Sequence, residues 1–152
     1  MDMIHTNYGS HVHVLARAAS LLKPGSRIVE LGAGYFSTPM LHGIAQARGC
    51  TLLTVETSEE WAAKFTHLAA PWHPFDVGCA STYWLDSLPA LVFVDCSPTE
   101  SREPLFRMAW EAGVPCIIAH DSNREAYGWG WERYPDAVHY ETGDFHTTVV
   151  RQ

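Results

Sequence analysis

Residues 27–39 of the chain, Arg-Ile-Val-Glu-Leu-Gly-Ala-Gly-Tyr-Phe-Ser-Thr-Pro, contain the pattern from which the fold follows. A short β-branched run ends in Gly32 and Gly34, and hydroxyl residues then precede Pro39. Proline is tolerated at the first position of a helix, where its missing N–H has no helical partner, and a preceding serine or threonine supplies an N-cap. The stretch therefore predicts a strand, a tight glycine turn and a helix.

The same order of elements recurs along the chain. Apolar runs that are typical of strands buried on both faces alternate with segments of helical spacing. Thr57 and Glu60 have the spacing of a capping box at one of the helix starts. The predicted strands cover residues 27–31, 51–55, 75–80, 91–95 and 115–119, and the predicted helices lie between them and over residues 10–22.

The last part of the chain follows a different pattern. Residues 137–141 and 145–150 are joined by a short connection that contains Gly143, which predicts an antiparallel hairpin. We therefore expect an α/β fold, a three-layer α/β/α arrangement around a mostly parallel seven-stranded sheet with a C-terminal antiparallel hairpin. A length of 152 residues suits one domain, so we expect residues 1–152 to form a single domain.

Composition argues against several kinds of partner. Ten Lys and Arg against 17 Asp and Glu give a formal net charge of -7 without a basic cluster, so we expect no nucleic-acid partner. No apolar run has the roughly 18 residues of a membrane span, and no signal-peptide pattern opens the chain. We therefore expect a cytoplasmic protein with no membrane partner, and its four widely spaced cysteines should be reduced.

Polar side chains stand where the predicted strands end. In an open α/β sheet the ligand binds beyond the carboxyl ends of the strands. Ser37 occupies the place of the third glycine of a dinucleotide fingerprint, which argues against NAD or FAD. Glu56 ends the second strand, where a carboxylate can bridge the hydroxyls of a ribose, or alternatively complement the start of a helix. The polar residues at strand ends are Glu30, Glu56, Asp95, His120 and Asp121.

The motifs at 28–34, 55–56, 92–95 and 117–121 resemble, in order and spacing, those of the class I S-adenosylmethionine-dependent methyltransferases. The resemblance covers most of the chain and implies a Rossmann-like fold that binds S-adenosylmethionine at the carboxyl edge of the sheet. It implies glycines beside the methionine and ribose, one acid near the methionine ammonium, another on the ribose hydroxyls and a segment flanking the adenine. The residues implied in cofactor binding are Glu30, Gly32, Gly34, Glu56, Cys79 and Ala80.

Methyl transfer requires the protein to align the acceptor and to accept its proton. We predict Asp95, His120 and Asp121 as catalytic residues, with His120 or Asp121 as the base. Asp95, Asp121 and Asn123 also offer oxygen ligands for a divalent metal such as Mg²⁺, at positions similar to those of catechol-type O-methyltransferases. The alternative is that Ser122 opens a capping box for a following helix while Asp121 braces the loop.

The segment 94–124 also resembles, over short motifs, the sugar O-methyltransferases that act on plant glucuronoxylan. This resemblance implies a small-molecule or sugar hydroxyl as the acceptor. The aromatic segment 127–134 is either a platform for that acceptor, a packing element at the sheet edge or a homodimer contact. Trp61 has helical spacing with Phe65, which favours a role in the core for both rings.

Two other functions agree with the same motifs. One is a non-catalytic module that binds S-adenosylmethionine or S-adenosylhomocysteine as a sensor or partner subunit, because no long insertion encloses an acceptor. The other is an enzyme that cleaves the cofactor itself.

Overall fold

The computed structural model describes residues 9–78, 83–141 and 143–152. Every strand predicted from the apolar runs is present within these ranges. The α-helices of the described chain are α1 (Val12–Ser20), α2 (Ser37–Arg48), α3 (Glu59–Ala62) and α4 (Arg102–Glu111). Its strands are β1 (Arg27–Leu31), β2 (Thr51–Glu56), β3 (Phe75–Val77), β4 (Leu91–Val94), β5 (Cys116–His120), β6 (Val138–Tyr140) and β7 (Thr147–Arg151).

The seven strands form one sheet in the order β3-β2-β1-β4-β5-β7-β6. Strands β1 to β5 pair in parallel, and β7 runs antiparallel to both β5 and β6. This topology confirms the predicted parallel sheet with a C-terminal antiparallel hairpin. The strand order reverses between β1 and β4, and open α/β sheets bind their ligands at such a point.

Side-chain alternation along the strands divides the core into two clusters, one on each face of the sheet. Ile28 and Phe93 pack in one cluster with Leu15 of α1 and with α2. Val29 of β1 and Phe106 of α4 pack in the other cluster. Helices therefore cover both faces of the sheet, as the near-continuous apolar strands predicted.

The start of α2 differs from the predicted one. The helix begins at Ser37 and has Phe36 at its N-cap, so Pro39 is its third residue. No side-chain hydrogen bond caps this helix. The Thr38 hydroxyl donates to the Glu30 carboxylate and accepts a hydrogen bond from the Gly34 N–H, so it holds the glycine turn and not the helix start.

Both predicted capping boxes are wrong. Ser58, one residue after Thr57, caps α3 and accepts a hydrogen bond from the Trp61 backbone N–H. Ser122 caps no helix in the described chain, because only a 3-10 turn over Glu125–Tyr127 follows it. Among the described cysteines, Cys50, Cys96 and Cys116 are free and buried. None of the helices in the described ranges is long and apolar enough to cross a membrane.

Candidate functional site

A cavity of about 820 Å³ opens at the carboxyl ends of the parallel strands. It lies where the strand order reverses between β1 and β4, and its volume is typical of cofactor and ligand sites. Loops that follow β1, β2, β4 and β5 contribute to its wall. The predicted site residues on this wall are Gly34, Glu56, Asp95, His120 and Asp121.

The two predicted glycines have different roles. Gly32 has φ +98°, and a Cβ atom there would overlap the carbonyl oxygen of Asp95 and lie 2.7 Å from Cα of Cys96. It is therefore needed for the close approach of two strand ends. Gly34 lies on the cavity wall, and its N–H donates to Thr38 Oγ1 at 2.8 Å.

Glu56 is 6% exposed and holds the glycine turn against the start of α3. Its Oε2 accepts a hydrogen bond from the Ala33 N–H at 3.0 Å, and its Oε1 accepts one from the Ser58 N–H at 2.9 Å. Each carboxylate oxygen can accept a further hydrogen bond. Glu56 therefore offers the cavity two preoriented acceptors, as two neighbouring hydroxyls of a ligand require.

Glu30 lies beneath the glycine turn and not on the cavity wall. It is fully buried, and its Oε2 accepts hydrogen bonds from the hydroxyls of Thr38 at 2.9 Å and Thr54 at 2.8 Å. Burial raises its pKa to about 7, although these hydroxyl hydrogen bonds partly offset the effect. Because Thr38 also holds Gly34, Glu30 orients the turn from below.

Strand alternation brings Asp95 and His120 to the face of the sheet that α1 covers. Phe93 of β4 and Ile118 of β5 pack in the cluster that contains α1, and Asp95 and His120 continue these two rows. His120 Nδ1 lies 3.3 Å from Asp95 Oδ2, and His120 Nε2 lies 2.9 Å from Ser10 Oγ. The result is a chain of Ser, His and Asp side chains that ends at the cavity.

Asp95 remains ionised in this setting. Burial alone raises its pKa, but the close polar contact with His120 Nδ1, the charge of His120 and the charge of Arg102 outweigh that effect. The pKa of Asp95 is therefore lower than the ordinary value of an aspartate. The Asp95 side chain therefore presents a negative charge beside His120 Nδ1.

His11 stands beside this chain and lines the same cavity. Its ring is 3% exposed, and the centroids of the His11 and His120 rings are 4.5 Å apart. Within the described residues, neither ring nitrogen of His11 has a hydrogen-bond partner. Burial first and the neighbouring His120 second lower its pKa to about 4, so the ring is neutral at neutral pH.

Arg102, the first residue of α4, joins the two acids of the site. Its Nη2 lies 3.0 Å from Asp95 Oδ1, and its Nη1 lies 2.8 Å from Asp121 Oδ2. Its Nε donates to the Cys96 carbonyl at 2.8 Å. Asp121 itself has φ 54°, in the left-handed region that aspartate tolerates better than most residues. The guanidinium thus offsets the cost of two partly buried carboxylates.

The structure does not bring together the three predicted oxygen ligands of a magnesium ion. Asn123 is exposed, its Nδ2 donates to the Asp144 carbonyl at 3.1 Å, and its Oδ1 accepts from the His146 N–H at 3.0 Å. It therefore braces the turn before β7, away from the cavity wall. The Arg102 guanidinium, not a shared cation site, links Asp95 and Asp121.

The aromatic segment 127–134 packs at the edge of the sheet. Trp129 Nε1 donates to the Asp121 carbonyl at 3.2 Å, and Trp131 Nε1 donates to the Ser122 carbonyl at 2.8 Å. Both indoles contact Phe106 of α4 edge-on. This arrangement supports the packing interpretation, because the indoles fix the loop that carries Asp121 instead of lining the cavity.

Trp61 differs from its predicted role as a core residue. It lines the cavity, its Nε1 donates to the Ala33 carbonyl at 2.7 Å, and it meets Tyr35 edge-on at 5.3 Å between ring centroids. Helix α3 is only four residues long, so the helical spacing of Trp61 and Phe65 does not place both rings in the core. Phe65 alone is buried there.

Sequence reasoning missed three residues of the site: Ser10, His11 and Arg102. The alternation of β4 and β5 is a usable signal for the first two, because it places Asp95 and His120 on the face that α1 covers. Arg102 is harder to predict, since only the fold shows that the start of α4 lies beside Asp95 and Asp121 and that Arg102 is buried there. Cys79 and Ala80, predicted beside the adenine, lie outside the described residues.

No protein-family model and no curated protein matches the chain. Solved structures match it closely in fold. One is the S-adenosylhomocysteine-bound methyltransferase PaMTH1 of Podospora anserina, with a TM-score of 0.71 and 13% identity over 91% of this chain and 76% of that one. Another is the C-terminal domain of precorrin-6Y C5,15-methyltransferase of Rhodobacter capsulatus, with a TM-score of 0.61 and 17% identity over 91% and 86%.

A third match is an S-adenosylmethionine-dependent methyltransferase of Geobacter sulfurreducens in complex with S-adenosylhomocysteine. It has a TM-score of 0.55 and 22% identity over 79% of this chain and 55% of that one. Identities this low establish the fold. The chain thus has the Rossmann-like fold of the class I methyltransferases, as the ordered motifs predicted.

Proposed function

We propose that the protein is an S-adenosylmethionine-dependent methyltransferase that methylates a hydroxyl of a small molecule or sugar. The observation that carries this proposal is the arrangement of the cavity. A hydroxyl-binding carboxylate, Glu56, lies on the wall after β2, and the His120–Asp95 pair lies on the wall after β4 and β5. These groups suit a nucleoside at one end and a proton-releasing acceptor at the other.

The residues at the Glu56 end fit the cofactor. Both oxygens of Glu56 are fixed by backbone N–H groups and keep lone pairs for two ribose hydroxyls. Gly34 leaves the turn open, and the Trp61 and Tyr35 rings give an apolar wall beside it. When bound, S-adenosylmethionine supplies a methyl group on a positively charged sulfur, which is the electrophile of the reaction.

The residues at the other end suit removal of a proton. The acceptor oxygen bonds to the methyl carbon while the carbon–sulfur bond breaks and its electron pair stays on sulfur, so one hydroxyl proton must leave. His120 is the first candidate base, because its ring lines the cavity and lies 3.3 Å from the Asp95 carboxylate. Asp121 is the second candidate, since its Oδ1 lies 3.7 Å from His120 Nδ1 and its side chain lines the cavity. Phe145 offers the acceptor an apolar ring beside them.

Calorimetry on the full chain tests the cofactor half of the proposal. We expect S-adenosylmethionine and S-adenosylhomocysteine to bind the wild type, and Glu56→Gln to weaken both by at least about tenfold, as loss of a charge-assisted hydrogen bond implies. Glu60→Gln is the matched control, because Glu60 is an exposed acid on the same helix start. Equal affinities of the wild type and Glu56→Gln would contradict the ribose role, provided that thermal melts show both variants folded.

A product assay separates the catalytic function from its alternatives. Cofactor labelled on the methyl group is incubated with the protein and a panel of phenols, sugars and small alcohols. Labelled product that is lost in His120→Gln or Asp121→Asn supports the transferase and shows which of the two side chains the reaction requires. A non-catalytic module binds cofactor and labels nothing, and a cofactor-cleaving enzyme consumes it when no acceptor is present.

A further inference from the structure

We propose that His11, Asp95 and His120 bind a divalent transition-metal ion at the acceptor end of the cavity. The three residues are the N-cap of α1, the residue that follows β4 and the last residue of β5, so only the folded chain brings them together. One ligand atom from each lies within 4.8 Å of the other two. The donor set differs from the predicted oxygen set, because two imidazoles replace Asp121 and Asn123.

The separation of His120 and Asp95 already suits a shared ion. Ligand atoms that are each about 2.1 Å from one metal lie roughly 3.0 to 3.4 Å apart in octahedral or tetrahedral geometry. His120 Nδ1 and Asp95 Oδ2 are 3.3 Å apart. His120 Nδ1 also makes no hydrogen bond that satisfies the usual geometry within the described chain. An ion between these two atoms would give both of them a partner.

The buried His11 ring is a second reason to expect an ion at this site. Its side chain is 3% exposed, and both ring nitrogens lack a partner among the described residues. A buried polar atom without a partner costs about 1 to 3 kcal/mol and calls for an explanation, such as an ion. Because neither ring nitrogen makes a hydrogen bond, no hydrogen bond has to break when His11 ligates an ion. Its place on the cavity wall gives an ion access from solvent.

The surrounding contacts resemble the outer shell of a metal site. Metal-binding histidines usually bond their second nitrogen to a neighbouring group, and ligating carboxylates are themselves hydrogen-bonded. His120 Nε2 is 2.9 Å from Ser10 Oγ, and Asp95 Oδ1 is 3.0 Å from Arg102 Nη2. These contacts leave His120 Nδ1 and Asp95 Oδ2 directed at each other.

The donor set indicates the class of ion. Two imidazole nitrogens and one carboxylate suit Zn²⁺, Co²⁺, Mn²⁺ or Fe²⁺ better than Mg²⁺, which prefers oxygen. The charges agree with a divalent ion, since Asp95 and Asp121 outweigh Arg102 by one negative charge before the ion binds. Three protein ligands leave coordination positions open toward the cavity.

An open position has a consequence that rests on the proposed function. An acceptor hydroxyl bound there would lose its proton more readily, as water does on a catalytic metal. His120 Nδ1 would then hold the ion, and the proton would pass to Asp121, which is the second candidate base. The metal thus favours acceptors with a hydroxyl that can approach the ion, such as a diol or a phenol.

Metal binding can be tested without cofactor or acceptor. Chelator-treated full-length protein is titrated with Co²⁺, and the visible absorption of the bound ion is followed. Zn²⁺ loading followed by gel filtration and elemental analysis gives the stoichiometry. We expect one ion per chain, with a Co²⁺ spectrum that shows nitrogen ligation and is displaced by Zn²⁺.

Two variants that each remove a proposed ligand, and one control variant, test the metal site. His11→Phe keeps an aromatic ring against Phe93 but removes the ligand, and Asp95→Asn removes the carboxylate charge. Loss of an outer-shell contact typically weakens metal binding by about 10-fold to 100-fold. Each of these two variants should weaken Co²⁺ binding by more than that. His13→Ala, an exposed histidine two residues away, should bind as the wild type does. Absence of an ion, or unchanged binding in folded His11→Phe, overturns the proposal whether or not S-adenosylmethionine binds.

Discussion

The two ends of the cavity differ in how the fold satisfies their polar groups. At the Glu56 end, both carboxylate oxygens accept backbone N–H groups. At the His120 end, both nitrogens of His11 lack a hydrogen-bond partner within the described chain, and His120 Nδ1 lies 3.3 Å from Asp95 Oδ2 without a hydrogen bond of the usual geometry. The Glu56 carboxylate is held by the fold itself, whereas the His11 ring gains a partner only when something else binds.

The difference distinguishes the Glu56 end, which we propose binds the cofactor, from the His120 end, which we propose binds the acceptor. A turn between β1 and α2 has to be held closed in every state of the protein, so backbone groups supply its hydrogen bonds. In the methyl transfer that we propose, the acceptor end exchanges partners during each turnover. Buried groups that the fold leaves unpaired are costly, and His11 combines such groups with a place on the cavity wall, where a ligand, proton or ion can reach it. Three substitutions test this contrast.

Gly32→Ala should have the largest effect, because Gly32 joins the two ends. Its positive φ and the overlap of a new Cβ with Asp95 should together lower the free energy of unfolding by about 4 kcal/mol or more. Urea denaturation measures the change. Gly43→Ala in α2 is the control, since nothing lies within 4 Å of its Cβ position and a helical alanine should stabilise by about 0.5 to 1 kcal/mol.

Arg102→Met should cause the second-largest loss of stability, and the change in structure should be confined to the acceptor end. Removing the guanidinium leaves Asp95 and Asp121 without their shared cation, at a cost of about 3 kcal/mol after allowance for their partial exposure. Arg107→Met on the same helix should change stability by less than about 0.5 kcal/mol, because the Arg107 side chain is exposed and its ion pairs are therefore screened by water. Similar losses of unfolding free energy in the two variants would contradict a stabilising role for the ion pairs of Arg102.

Glu30→Gln should show a pH-dependent effect beneath the other end. The pKa of Glu30 is raised to about 7 in the fold from 4.5, so between these values the folded chain holds a proton that the unfolded chain has lost. Its contribution to stability is full below pH 4.5 and is lost as pH rises through 7, a change on the order of 3 kcal/mol.

The measurement is the difference in the free energy of unfolding between wild type and Glu30→Gln at several pH values. The difference is needed because the pKa of His73, lowered to about 4 mainly by burial, gives the opposite slope over part of the range. Glu125→Gln, at an exposed acid, should leave the wild-type profile unchanged. A constant difference between wild type and Glu30→Gln would contradict the raised pKa.

Prediction from sequence succeeded where the signal is local and periodic. The predicted strand over residues 27–31 is β1 to the residue, and the predicted strand over residues 51–55 matches β2 except for Glu56 at its end. Prediction failed where hydroxyls had a choice of partner. Thr38 and Ser58 illustrate this, because a neighbouring carboxylate or a shift of one residue decided which group each one bonds.

The sequence by itself determined the order of elements, the parallel sheet and the polar residues at its carboxyl edge, because strand runs, glycine turns and helix faces are encoded by near neighbours. Only the tertiary structure decided which of those polar residues meet. Ser10 and His11 reach His120 across some 110 residues, and Arg102 reaches Asp121 across 19. Such contacts depend on strand order and on which helix covers each face, and neither is a property of a short segment of chain.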